Sequence, residues 1–181
     1  MDSIDPTVAE YYRSQGVEIT RMPDQDTNDL EKCLQCILAH PSVGECPQEW
    51  TVLVMDPFGG RLDQQMAAVN AAFTWLGIFH RFLLLGEGNL AQVIPAGQSK
   101  LHLTRGFDGP YCGLFPVGSC TATVTTSGLK WNLQSQELRM GSLVSSSNEI
   151  VYGTAHTRDG GAAEVTIYTS HPVLWTCQIP T

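Results

Sequence analysis

Charged residues make up only 15% of this 181-residue sequence, and no run of Lys or Arg occurs in it. A polyanion would find no electrostatic footprint, so sequence-specific nucleic-acid binding is not expected. The longest apolar run, from Ala71 to Leu85, is shorter than a bilayer span and is interrupted by His80 and Arg81, which argues against a transmembrane helix there. The opening MDSIDPTVAEYY lacks the basic and apolar regions of a secretory signal, and no N-x-S/T sequon occurs. Six cysteines are too few for a disulfide scaffold at this length, so they are expected to stay reduced in a cytoplasm. Among reactive signatures, GxxxxGKS/T, GxSxG and HxxxH are all missing.

What charge there is collects at one end. Residues 1–50 hold ten acids and three bases, 3 − 10 = −7, while the remainder holds eight acids and seven bases, 7 − 8 = −1. Residues 1–26 are polar without a sustained period and read as an acidic arm, either solvated or available to a basic partner. Residues 27–181 read as a single domain, since 43% apolar content supports a folded core.

Asn28 followed by Glu31 forms a cap with a box-like partner. The helix it starts should end where His40 meets Pro41. Leu30, Cys33, Leu34, Ile37 and Leu38 recur with the helical period and predict its buried stripe. EWTVLVM predicts a strand closed by DPFGG, and RLDQQMAAVNAAFTWL a long helix with Leu62, Met66, Val69, Phe73 and Leu76 on one side. Residues 77–85 fit a helix or a strand equally. From Lys100 onward KLHLTRGF, SCTATVTT, LKWNLQ, NEIVYGTAHT, AAEVTIYTS and VLWTCQI are short and rich in β-branched and aromatic residues. TTSGLK and HTRDGGAAEV read as tight hairpins. The expected fold is α+β: a mostly antiparallel sheet covered on one face by a long helix, with a short N-terminal helix and the acidic arm.

Two stretches suggest chemistry. CLQCILAHPSVGEC places Cys33, Cys36, His40 and Cys46 at zinc-knuckle density, but in C-x2-C-x3-H-x5-C order and on a capped helix. Zinc is therefore the alternative there, and no metal or other cofactor is the primary expectation. GPYCGLF places Cys112 in a Gly- and Pro-rich loop with His80 and His102 upstream. A cysteine hydrolase using Cys112 is the enzymatic alternative, against a thiol that packs or pairs with Cys120. His156 and His171 read as strand histidines with polar tips.

The block EWTVLVMDPFGGRLDQQMAAVNAAFTWLGIFHRFLLLGEGNL, residues 49–90, resembles in layout the central part of rhabdovirus matrix proteins: strand, turn, Ala-rich helix, apolar segment, then strands. The resemblance implies a non-enzymatic assembly protein, in virion or host cytoplasm, that self-associates and bridges protein partners; membrane contact is left open. Phe79, Phe82 and Leu83 are the expected interaction patch, beside the charged break. No catalytic residue is assigned on this reading.

The helix reading of the cysteine stretch makes a direct prediction. Cys36→Ser and added chelator should each leave the far-ultraviolet circular dichroism and the thermal midpoint unchanged; a zinc-held segment would unfold under both.

Overall fold

The computed structural model describes residues 4–153 and 161–180. The chain forms two compact units, Met1–Pro47 and Gln48–Thr181.

In the first unit, α1 (Pro6–Ser14) begins at Asp5, whose carboxylate accepts from Thr7 N at 2.8 Å, with Pro6 in the first helical turn. Within the expected arm, the stretch TVAEYYRSQGVEI, which fits a short helix or strand, begins as a capped helix. α2 (Asp29–Ala39) starts at Asn28, whose side chain accepts from Glu31 N at 2.9 Å, and it stops before Pro41 as expected. The four-residue helix α3 (Pro41–Gly44) follows, with His40 as its cap. Along α2 the predicted stripe is only partly realised: Leu34 is buried, but Cys33 and Ile37 are exposed, and the ammonium-bearing Lys32 is only 6% exposed.

The described residues of the second unit form ten strands. They are β1 (Thr51–Met55), β2 (Arg81–Gly86), β3 (Asn89–Ile94), β4 (Gly97–Thr104), β5 (Tyr111–Phe115), β6 (Ala122–Ser127), β7 (Gln136–Leu138), β8 (Ser145–Glu149), β9 (Ala162–Thr169) and β10 (Val173–Gln178). Six form one sheet in the order β1-β2-β3-β10-β5-β8, and four form another, β4-β9-β6-β7. β1 and β2 are parallel, joined across α4 (Leu62–Thr74), and every other pairing is antiparallel. The core gathers Leu114, Val173, Trp175 and Cys177 of the six-stranded sheet with Val124, Leu138, Val165 and Ile167 of the four-stranded one.

This corrects the expected single sheet under a long helix. α4 has only 13 residues and packs against β2 and β3; residues 81–86 are strand. Its buried face is Ala68, Ala71 and Ala72, while Leu62 and Met66 are exposed. Alanine lets the helix backbone come close to the sheet, and that approach outweighed the larger apolar stripe. GPYCGLF contributes strand β5, which is not a loop. LKWNLQ is a turn, because its side chains satisfy the backbone locally, as described below. The turn residues of HTRDGGAAEV, and His156, fall outside the described residues. Among the described residues no helix is long and apolar enough to cross a membrane.

Gly128, which follows β6, has φ +84°, and a Cβ there would collide with the Glu164 carbonyl oxygen of β9. Both the left-handed backbone and the contact exclude a side chain. Gly128→Ala should cost about 3 kcal/mol or more in urea unfolding; an unchanged midpoint would contradict the packing of β6 on β9.

Candidate functional site

The turn after Gly128 presents an aromatic ring on an unusually well-fixed backbone. Leu129 N donates to Asn132 Oδ1 at 3.1 Å, Leu133 N to Thr126 Oγ1 at 2.9 Å, and Ser135 N to Thr125 Oγ1 at 2.9 Å. Leu129 is buried and bridges Ile150, so the turn is pinned to the end of β8 as well as to β6. Local side-chain acceptors of this kind compete with ladder pairing, which is why an apparently strand-like sequence makes a turn.

Asn148 of β8 is the principal clamp. It is only 3% exposed, and its amide serves both backbone groups of Trp131. Oδ1 accepts from Trp131 N at 3.2 Å and from Glu149 N at 2.9 Å, while Nδ2 donates to Trp131 O at 2.8 Å. A buried amide satisfied on both ends in this way fixes a single backbone geometry. The Trp131 side chain, in contrast, is 54% exposed. Lys130 Nζ sits 4.5 Å from its ring centroid and is held 3.0 Å from each Glu149 carboxylate oxygen. One region of the indole thus carries a paired cation, and the rest is open to a planar ligand.

The first unit, taken by itself, has a group of polar residues in the turn before α2. Asp24 Oδ1 accepts from Asp26 N at 2.9 Å. Its carboxyl is held below the ordinary value, first by the hydrogen bond from the Thr27 side chain, then by Asp26 N–H, with the charge of Lys32 adding to the effect. Lys32 Nζ lies 4.0 Å from Asp29 Oδ1. Buried ammonium and exposed carboxylates therefore share one end of α2.

The residues singled out from sequence are dispersed. Phe79 and Phe82 are buried and Leu83 is half-buried; Phe79 stacks on Trp75 with centroids 5.7 Å apart, so the three do not make an exposed patch. Cys112 is buried in β5 and faces Cys177, not the exposed Cys120. Burial, then Cys177 and Glu149, push its thiol up to about 12, the opposite of what a nucleophile requires. His80 and His102 are exposed, and no hydrogen bond among the described residues joins either to Cys112. Cys33, Cys36 and Cys46 are exposed free thiols, Cys36 facing Met22 Sδ at 3.6 Å, and His40 Nδ1 accepts from Ser42 N at 3.3 Å. Among the described residues no three of His, Cys, Asp and Glu converge on a point where a metal ion could be held. Sequence reasoning passed over Trp131 and Asn148; a tryptophan in a Gly-led, Asn-containing turn was the available signal.

Comparison with known proteins overturns both the viral resemblance and the non-enzymatic reading. Residues 1–81 match the family model described as thiamin pyrophosphokinase, catalytic domain, and residues 98–174 the one described as thiamin pyrophosphokinase, vitamin B1 binding domain. Thiamine pyrophosphokinase 1 of Oryza sativa subsp. japonica is 40% identical over 150 residues, covering 82% of this chain and 56% of the relative. Thiamine pyrophosphokinase 1 of Arabidopsis thaliana is 32% identical over 181 residues, 99% of this chain and 63% of its own length. The chain thus spans 56–63% of these curated relatives. The solved thiamin pyrophosphokinase from Candida albicans superposes with a TM-score of 0.83 at 21% identity over 99% of this chain and 71% of that one, a likeness of fold. The two family models meet this chain in sequential order along most of its length, each over less than half of it, and the likeness throughout is to thiamin pyrophosphokinases.

Proposed function

We propose that this chain binds thiamin on the exposed indole of Trp131 and takes part in transferring a pyrophosphoryl group to it. The observation that carries the proposal is the Asn148-clamped, half-exposed Trp131 within residues matched by the vitamin B1 binding domain. Thiamin joins a cationic thiazolium ring to an aminopyrimidine. Both rings are planar and one is positively charged, the type of ligand an indole face attracts by stacking and cation–π interaction. A fixed backbone lowers the ordering cost of presenting that face.

Pyrophosphoryl transfer forms a bond from the thiamin hydroxyl oxygen to phosphorus, breaks the phosphorus–oxygen bond to the donor, and releases the hydroxyl proton. Catalysis of such a step is mainly positioning and charge stabilisation. Within the first unit the buried ammonium of Lys32 and the carboxylates of Asp24 and Asp29 lie among residues matched by the catalytic-domain model, and we put them forward as a phosphate-contacting group of that unit taken by itself. Phosphoryl transfer commonly uses a divalent cation held by carboxylates. The described carboxylates do not converge on such a point. A cytoplasmic setting belongs to the same proposal.

Titration calorimetry with thiamin tests the ring contact. Trp131→Ala should weaken binding roughly 10- to 100-fold, and Trp131→Phe less, in line with about 1–3 kcal/mol for stacking on an aromatic side chain. Equal affinity in wild type and Trp131→Ala would overturn the site. Asn148→Ala should cost about 2–4 kcal/mol in urea unfolding, because the amide and carbonyl of Trp131 lose their partners. Asn148→Asp, which keeps the acceptor and loses the donor, should fall between the two.

A further inference from the structure

Cys112 and Cys177 lie directly opposite each other on β5 and β10. The ladder fixes what kind of pair they make. Ile179 N donates to Gly88 O at 2.8 Å, continuing the β10–β3 register in which Cys177 faces Leu90. The backbone groups of Cys177 therefore point to β3. Its neighbours alternate, and Gln178 O accepts from Gly109 N at 2.7 Å on the other side. On β5 the converse holds: Ile150 N donates to Pro110 O at 2.9 Å, so Cys112, two residues on, directs its backbone groups to Asn148 of β8. Cys112 and Cys177 are thus a non-hydrogen-bonded cross-strand pair, the register in which Cα atoms approach to about 4.5 Å and side chains are closest. That separation is within the range of about 4.4–6.8 Å spanned by disulfides. The other four cysteines are exposed, while these two belong to the core.

We propose that Cys112 and Cys177 are an oxidative modification site, closing a cross-strand disulfide with a small disulfide such as oxidised glutathione, and that the bond acts on the Trp131 turn through Asn148. One cysteine thiolate attacks the oxidant's sulfur and releases a first glutathione thiolate. The second cysteine thiolate attacks the protein sulfur of the mixed disulfide and releases another. Two electrons pass to the oxidant, and the two thiol protons end on the two glutathiones. Drawing the side chains together shifts β5 against β10. On its other side β5 meets β8, whose register slips between Cys112 and Leu114, so the displacement reaches an edge strand with one irregular partner. Asn148 is there, and its amide holds both backbone groups of Trp131. Burial raises both thiols, Cys112 to about 12 and Cys177 to about 11. The reaction is accordingly slow at neutral pH and accelerates as pH rises and the thiolate fraction grows. Any effect on thiamin rests on the preceding reading of Trp131; the disulfide and its effect on the turn do not.

The full chain, reduced and then equilibrated in a large excess of oxidised over reduced glutathione with mild urea to permit local opening, is quenched by alkylation and mapped by peptide mass. A Cys112–Cys177 cross-link is expected, 2 Da lighter than the two free thiols, with a thermal midpoint raised by on the order of 10 °C. Free thiols or separate glutathione adducts at both positions after equilibration would overturn the site. The Trp131 indole N–H resonance, identified by its loss in Trp131→Phe, should shift on oxidation of wild type and stay fixed in Cys177→Ser, or in Cys177→Ala if the serine variant does not fold. A cross-link that leaves this resonance in place would overturn the coupling. Neither readout needs thiamin to bind.

Discussion

β10 is inserted between β3 and β5, and the six-stranded sheet exists only because this strand joins its two halves. On one side its register runs from Val173 opposite Ile94 to Gln178 opposite Asn89; on the other, Leu174 to Cys177 face Phe115 to Cys112. Trp175 and Val173 have no exposed surface, and Leu174 on the opposite face is also buried. A strand covered on both faces and paired on both edges has every backbone group committed, so it tolerates little change in length or register. Several other elements of the second unit are referred to it. α4 lies over β2 and β3, the four-stranded sheet closes over the Trp175 face, and among the described strands β8 pairs with β5.

That dependence extends to the proposed ligand site. Trp131 is exposed, yet its position is set by a buried amide on β8, which is set by β5, which is set by β10. Binding surfaces often stand on loops, and here the loop is kept in one geometry by the sheet beneath it. The cost of such an arrangement is sensitivity: a change at Cys177 or Asn148 alters presentation of the indole without touching it.

The readable parts of the fold were those with local causes. The cap at Asn28 and the stop at Pro41 bounded α2, and short segments rich in β-branched and aromatic residues between turn residues marked β4, β6, β9 and β10. Illegible parts had non-local causes. β5 has buried residues at Cys112, Gly113 and Leu114 in succession, which removes the alternation that signals a strand, and its Gly and Pro neighbours imitate a loop. α4 buries alanines because a sheet lies close below it, a fact outside its own sequence. Division of ten strands into two sheets follows from pairings between distant segments, which period cannot show. At the site, GLKWNL carried a tryptophan that reads as strand content; what makes it a platform is Asn148, seventeen residues away.

The place of β10 in the chain gives folding an order. It is synthesised after the other nine strands, yet it occupies the middle of the sheet. Until it arrives, β3 and β5 each present a bare edge rich in apolar residues, a template for pairing with any other extended chain. Closing the sheet then requires contacts between residues far apart in sequence on the β3 side, from 173 − 94 = 79 for Ile94 and Val173 to 178 − 89 = 89 for Asn89 and Gln178, a topology that folds slowly. The interval between synthesis of β5 and capture of β10 is therefore when these two edges stand open to pairing with another extended chain.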